Sequence, residues 1–283
     1  FALRMTRASA VCHHQRLYGG MMLHRLGSVV VVAAAGVVSL SGCTTLPEAA
    51  RQELIRAHQA YEQGELGAAE SGAGKVIGAY PHAREIGEAY YVRGLARARQ
   101  GRTSEAETDF REAIKRSQRR DLRGRAGTSL GMVLQERGEF GKAASSYEGA
   151  MANLEAGEVQ ATAMYNLGVC RQREGQWSEA RGAFESFLRK YPSSAEAAQA
   201  HRRAAWPHEH FAIQCGVFGE AGNARRMLEQ LRRENLQAYV EAHGGERLGG
   251  ASAVRVGRFR DYGAAARALP MVKRVVADAY IVP

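Results

Sequence analysis

The chain has 283 residues, with 39 basic and 29 acidic side chains giving a formal charge of +10, and 45% of its residues are hydrophobic. That length supports one large or two moderate domains with real cores. Its four cysteines do not indicate a disulfide framework.

From Met21 the sequence reads MMLHRLGSVVVVAAAGVVSLSGCTTL. His24 and Arg25 precede an apolar run from Leu26 to Leu40, and small residues lead to Cys43, which is the three-part build of a secretory signal. The run has 15 residues, short of the ~20 that span a bilayer, so a cleaved signal is expected at 21–42. Leu40-Ser41-Gly42-Cys43 resembles the lipobox of bacterial lipoproteins. The resemblance implies that Cys43 is acylated and holds the chain to a membrane, and Thr44 points to the periplasmic face of the outer membrane in a Gram-negative cell. Residues 1–20 begin with Phe1 and are expected to be upstream sequence, with the start at Met21 or Met22; Cys12, His13 and His14 then play no part. Removing 1–42 takes away four arginines and no acid, leaving +6. Outside the cell, such an excess suits anionic envelope polymers or lipid headgroups rather than nucleic acid. Cys170 and Cys215 are expected to be small buried hydrophobes.

After a short tether at 43–49, the chain repeats. Gly64, Gly101, Gly138 and Gly175 stand 37 residues apart, as do Ala57, Gly94, Gly131 and Gly168, and Ala69, Ala106, Ala143 and Ala180. Phe110, Tyr147 and Phe184 recur with them, and Phe140 and Trp177 follow the turn glycine by two residues. Each unit reads as helix, turn, helix; in the fourth, Gly175 makes the turn, Ser178 caps the second helix and Pro192 stops it. Leu167, Gly168, Ala180, Phe184 and Pro192 resemble the tetratricopeptide repeat, and the third unit matches through Leu130, Gly131, Leu134, Ala143, Tyr147 and Ala150. The spacing departs from the family's usual period of about 34. Four units and a closing helix fill 50–205, and stacked helix pairs make an α-helical solenoid whose concave groove suits a protein partner. The run Lys115–Arg125, with six cations to one acid, reads as a solvated helix end or as a surface for an acidic partner.

A composition change at Ala204–His210 marks a second domain at 206–283. Extended segments are expected at Phe211–Phe218, Ala238–Glu241, Ser252–Val256 and Ala279–Val282, and helices at Asn223–Glu234 and Tyr262–Val275. The order βαββαβ is the ferredoxin-like α+β arrangement, with two helices over one sheet face and the other face open. Strict alternation puts Phe211, Ile213, Cys215 and Val217 on the core face, and Ala212, Gln214 and Gly216 on the open one. Arg255 falls on that open face too, because the first and third strands are central neighbours.

FAIQCGVF followed by a helix, and AVRVGRF followed by DYGAAARAL, resemble the SPOR domain of bacterial cell-envelope proteins. Its members bind peptidoglycan glycan strands stripped of stem peptides, which gather at the division septum. Gln214, Gly216 and Phe218 match the family's Gln-x-Gly-Ser-Phe, with Val217 in place of serine. In the third strand Ala253 replaces an arginine and Arg258 a proline. Glycan binding is expected of Gln214 and Gly216 on this resemblance, and of Arg255 and Tyr280 from their places on the sheet. The glutamine amide would meet hydroxyl and acetamido groups, Arg255 a carboxylate exposed on muramic acid, and Tyr280 a sugar face.

No stretch is left for a catalytic domain, and His208 and His210 of HEH do not converge on a metal without further ligands, so no enzyme activity, metal or other cofactor is expected. The sheet's central positions lack the aromatics that stack RNA bases. Two readings stay open: a division or wall-remodelling lipoprotein that binds septal glycan and recruits a protein in its repeat groove, and an envelope assembly or chaperone factor whose terminal domain is a structural cap.

Overall fold

The structure is a computed structural model that describes residues 45–243 and 250–283. The expected upstream segment, the signal, Cys43 and most of the glycine-rich turn after Glu241 lie outside the described residues. No described helix is long and apolar enough to cross a membrane.

Eight helices pair in sequence: α1 Glu48–Glu62 with α2 Leu66–Ala79, α3 Ile86–Arg99 with α4 Thr103–Arg116, α5 Arg120–Glu136 with α6 Phe140–Met151, and α7 Glu158–Arg173 with α8 Trp177–Lys190. A short α9, Ala197–Ala204, closes the stack. The expected four units are therefore present as a helical solenoid. The glycine at each turn has φ between 76 and 83°, the left-handed conformation that ends a helix cheaply only without a Cβ. The residue after each glycine donates its amide back five residues, as in Glu139 N to Leu134 O at 2.9 Å and Gln176 N to Arg171 O at 2.9 Å. Ser178 is not the cap expected of it, because α8 begins one residue earlier, at Trp177.

The second small position of each unit has a different reason. A Cβ on Gly94, Gly131 or Gly168 would stand 2.8, 2.6 or 2.7 Å from the ring of Phe110, Tyr147 or Phe184. These aromatic residues are fully buried, so helix pairs close at the distance that one ring sets. The first helices α1, α3, α5 and α7 contribute most of the lining of a groove of about 640 Å³, with Tyr61, Arg99, Met132, Asn166 and Arg173 along it. The cations of the basic run are exposed or half-buried, and several are engaged within the chain. Arg119 pairs with Glu88 and Asp121, Arg116 with Glu112, and Arg120 donates to the Ala152 carbonyl. Cys170 and Cys215 are buried and unbridged, and burial pushes their thiols up to about 12 and about 11.

The terminal domain follows the expected order: β1 Phe211–Phe218, α10 Ala221–Arg233, β2 Ala238–His243, β3 Ala251–Phe259, α11 Tyr262–Lys273 and β4 Tyr280–Val282. The antiparallel sheet runs β2-β3-β1-β4, and α10 and α11 cover one face through Ala224, Leu231 and Val272 against Ile213, Val254 and Val256.

The domain is seated on the solenoid. Trp177 packs against Phe211 at 4.9 Å between centroids with the rings tilted at 48°, and Phe140 meets Tyr262 edge-on at 5.8 Å. At Gly175 a Cβ would lie 2.6 Å from the Arg260 carbonyl oxygen.

Alanine in place of glycine ordinarily gains a helix about 1 kcal/mol. Gly131→Ala should reverse that sign and lower stability by about 1–3 kcal/mol through overpacking against Tyr147. Gly149→Ala, in α6 with open space around it, should raise it, and urea midpoints of the two variants check the contrast.

Candidate binding face of the terminal domain

The β-ladders align one rung across all four strands. Tyr239 pairs with Arg255, Arg255 with Gln214, and Gln214 with Tyr280. Directly opposed residues share a face, so Gln214, Arg255 and Tyr280 stand side by side on the face away from α10 and α11. Three of the four expected residues are thus brought together.

Gly216 does not join them. The register shifts between Gln214 and Gly216, so that Gly216 opposes Val254 and Val217 opposes Ala253. This is a β-bulge, which places two residues against one and reverses the alternation beyond it. Gly216 therefore turns toward the core, where a Cβ would meet the Phe218 ring at 2.7 Å, and Val217 turns out, exposed. A second irregularity, at Gly257 with φ 73°, likewise lays Phe259 against its glycine and frees Arg258 to stack on Tyr239 at 5.0 Å.

The expectation of an open platform also needs correction. Tyr280 is 54% exposed, but Gln214 and Arg255 are only 4% and 5% exposed. Gln214 donates from Nε2 to the Tyr280 hydroxyl at 2.6 Å. Arg255 donates from Nη1 to Glu241, which pairs through its other oxygen with His208 Nε2 at 2.6 Å. Trp206 covers the guanidinium, with Cζ 5.1 Å from the ring centroid. His208 meets Trp206 edge-on and packs against His210 at 5.0 Å with the rings tilted, and His210 Nε2 lies 3.4 Å from the Tyr239 hydroxyl. Burial, and then the neighbouring His208, push the His210 imidazole below its ordinary value.

Residues 206–210 are therefore a strap across the sheet. Its Trp206 and His208, and Glu241 beneath it, take part in the site although the sequence reading missed them. A tryptophan and two histidines in an otherwise polar connector were the available signal. The closure is incomplete chemically. Arg255 Nε and Trp206 Nε1 are buried with no hydrogen-bond partner, a state that costs about 1–3 kcal/mol per group. The Arg255 guanidinium thus gives Nη1 to an internal carboxylate and leaves Nε without a partner. Among the described residues no group of three metal-ligating side chains comes together.

Comparison with known proteins gives the domains their families. A family model described as SPOR domain matches residues 207–283, and two described as tetratricopeptide repeat match 54–121 and 162–194. No curated protein matches the chain. Among solved structures, "Crystal structure of YrrB: a TPR protein with an unusual peptide-binding site" is similar at 22% identity and a TM-score of 0.45, over 55% of this chain and 74% of that one. The chain carries tetratricopeptide repeats within residues 54–194, a kind of module that suggests protein interaction, and at 207–283 a SPOR domain, which suggests peptidoglycan binding in the cell envelope.

Proposed function

We propose that the chain is a non-enzymatic envelope lipoprotein that binds peptide-stripped septal glycan through Gln214, Arg255 and Tyr280 and recruits a protein of division or wall remodelling in its repeat groove. The observation that carries this reading is the single rung on which an amide, a guanidinium and an exposed phenol ring stand adjacent. A carboxylate on muramic acid replaces Glu241 on Nη1 of Arg255; the strap of residues 206–210 lifts as it does so and uncovers Nε. Gln214 then serves hydroxyl or acetamido groups, and Tyr280 stacks on a ring. Leu40-Ser41-Gly42-Cys43, after its apolar run, supports acylation of Cys43, and the leader and SPOR domain together support a place on the periplasmic side, enriched at constricting septa.

A second reading rests on the closed strap: with Gln214 and Arg255 buried, the terminal domain caps the solenoid and the repeats alone act, in envelope assembly. Co-sedimentation separates the two.

The purified chain should pellet better with amidase-treated sacculi than with untreated ones. Arg255→Gln should weaken that pelleting about tenfold, the scale of one charge-assisted contact. Glu241→Gln, which keeps a hydrogen-bonding oxygen and removes the competing charge, should strengthen it. Equal pelleting with both kinds of sacculi would leave the capping reading. In cells, Cys43→Ala should move the protein from the membrane to the soluble fraction, read by blotting of separated fractions.

A further inference from the structure

Between the solenoid and the edge of the sheet lies a cleft of about 320 Å³, lined by Arg173, Arg203, Lys273, Tyr262 and Tyr280 among others. Its three cations come from three helices, α7, α9 and α11, each from the last turn. A helix end offsets roughly half a charge, so the cleft remains positive. Among the described residues none of the three is in an ion pair, and Pro283 also lines the cleft. Arg93, Arg97, Arg102, Arg119 and Arg137, by contrast, are each paired.

Arg173 is held in an unusual way. Its guanidinium lies 4.8 Å from the centroid of Phe140 and 4.6 Å from that of Tyr262. Among the described residues its N–H groups make no hydrogen bond. Two aromatic rings fix the plane, and the edge that forks a carboxylate or phosphate stays unused. Arg203 is steadied by Nη1 donating to the buried Gln172 at 2.6 Å. Lys273 is exposed at the mouth. Tyr280 belongs both to this cleft and to the rung, where its hydroxyl accepts from Gln214.

We propose that the cleft is an anion subsite continuous with the rung, and that it takes a further carboxylate of the same peptide-stripped glycan. This rests on the glycan reading above. The strand leaves the sheet past Tyr280 and places the acid of a later muramic residue between Arg173, Arg203 and Lys273. Strands with several acids then bind more tightly than a single disaccharide, which reaches the rung alone.

The test uses the full chain and peptide-stripped strands sorted by length, with affinity measured by calorimetry. Lys273→Glu and Arg203→Gln should each reduce the advantage of long strands over a single disaccharide by about tenfold, with affinity for the disaccharide unchanged. Unaltered melting temperatures exclude loss of folding, which makes exposed Lys273 the safer variant. A long-strand advantage that survives both substitutions overturns the subsite. So does a phosphate-bearing wall polymer whose binding the two variants abolish while glycan binding is untouched, since the cleft then serves another anion. Absence of binding by the unaltered chain to strands of every length defeats the glycan reading itself.

Discussion

A guanidinium removed from water must be paired, because an isolated buried charge costs several kcal/mol. Arg255 imposes that condition on the whole terminal domain. It sits on the face that the helices leave bare, yet it is almost fully buried. Glu241 supplies the counter-charge from the neighbouring strand, His208 takes the second oxygen of Glu241, and Trp206 excludes solvent from above. The connector from the solenoid is thereby drawn into the domain as a structural part rather than a loose tether.

The other end of that connector is fixed by the repeats. Trp177 and Phe140 occupy equivalent places in successive units, and both point into the seam, against Phe211 and Tyr262. Gly175 answers two demands at once. Its positive φ turns α7 into α8, as in every unit, and its missing side chain admits the Arg260 carbonyl. In the earlier turns only the first demand applies, since nothing lies near a Cβ at Gly64, Gly101 or Gly138.

The solenoid was legible because its constraints are local and periodic: a left-handed turn and a ring seated on a small residue leave the same letters every 37 positions. The order of strands and helices was legible for a similar reason. Alternation then placed Gln214 and Arg255 on one face correctly, and failed two residues later. A bulge carries no mark of its own in a run such as Gln-Cys-Gly-Val, because Cys215 and Val217 are both plausible core residues until the partner strand fixes the register. The coverage of Arg255 was hidden for another reason. It depends on Trp206, His208 and Glu241, which are distant in sequence and converge only once the sheet is formed.

Arg173 lines the repeat groove as well as the cleft beside the sheet. A single planar group cannot offer one edge to two acceptors together, so molecules in the two cavities would alter each other's affinity by an equal factor, as linkage requires. The sign follows from which cavity claims that edge. One side chain would thereby couple the occupancy of the groove to that of the cleft.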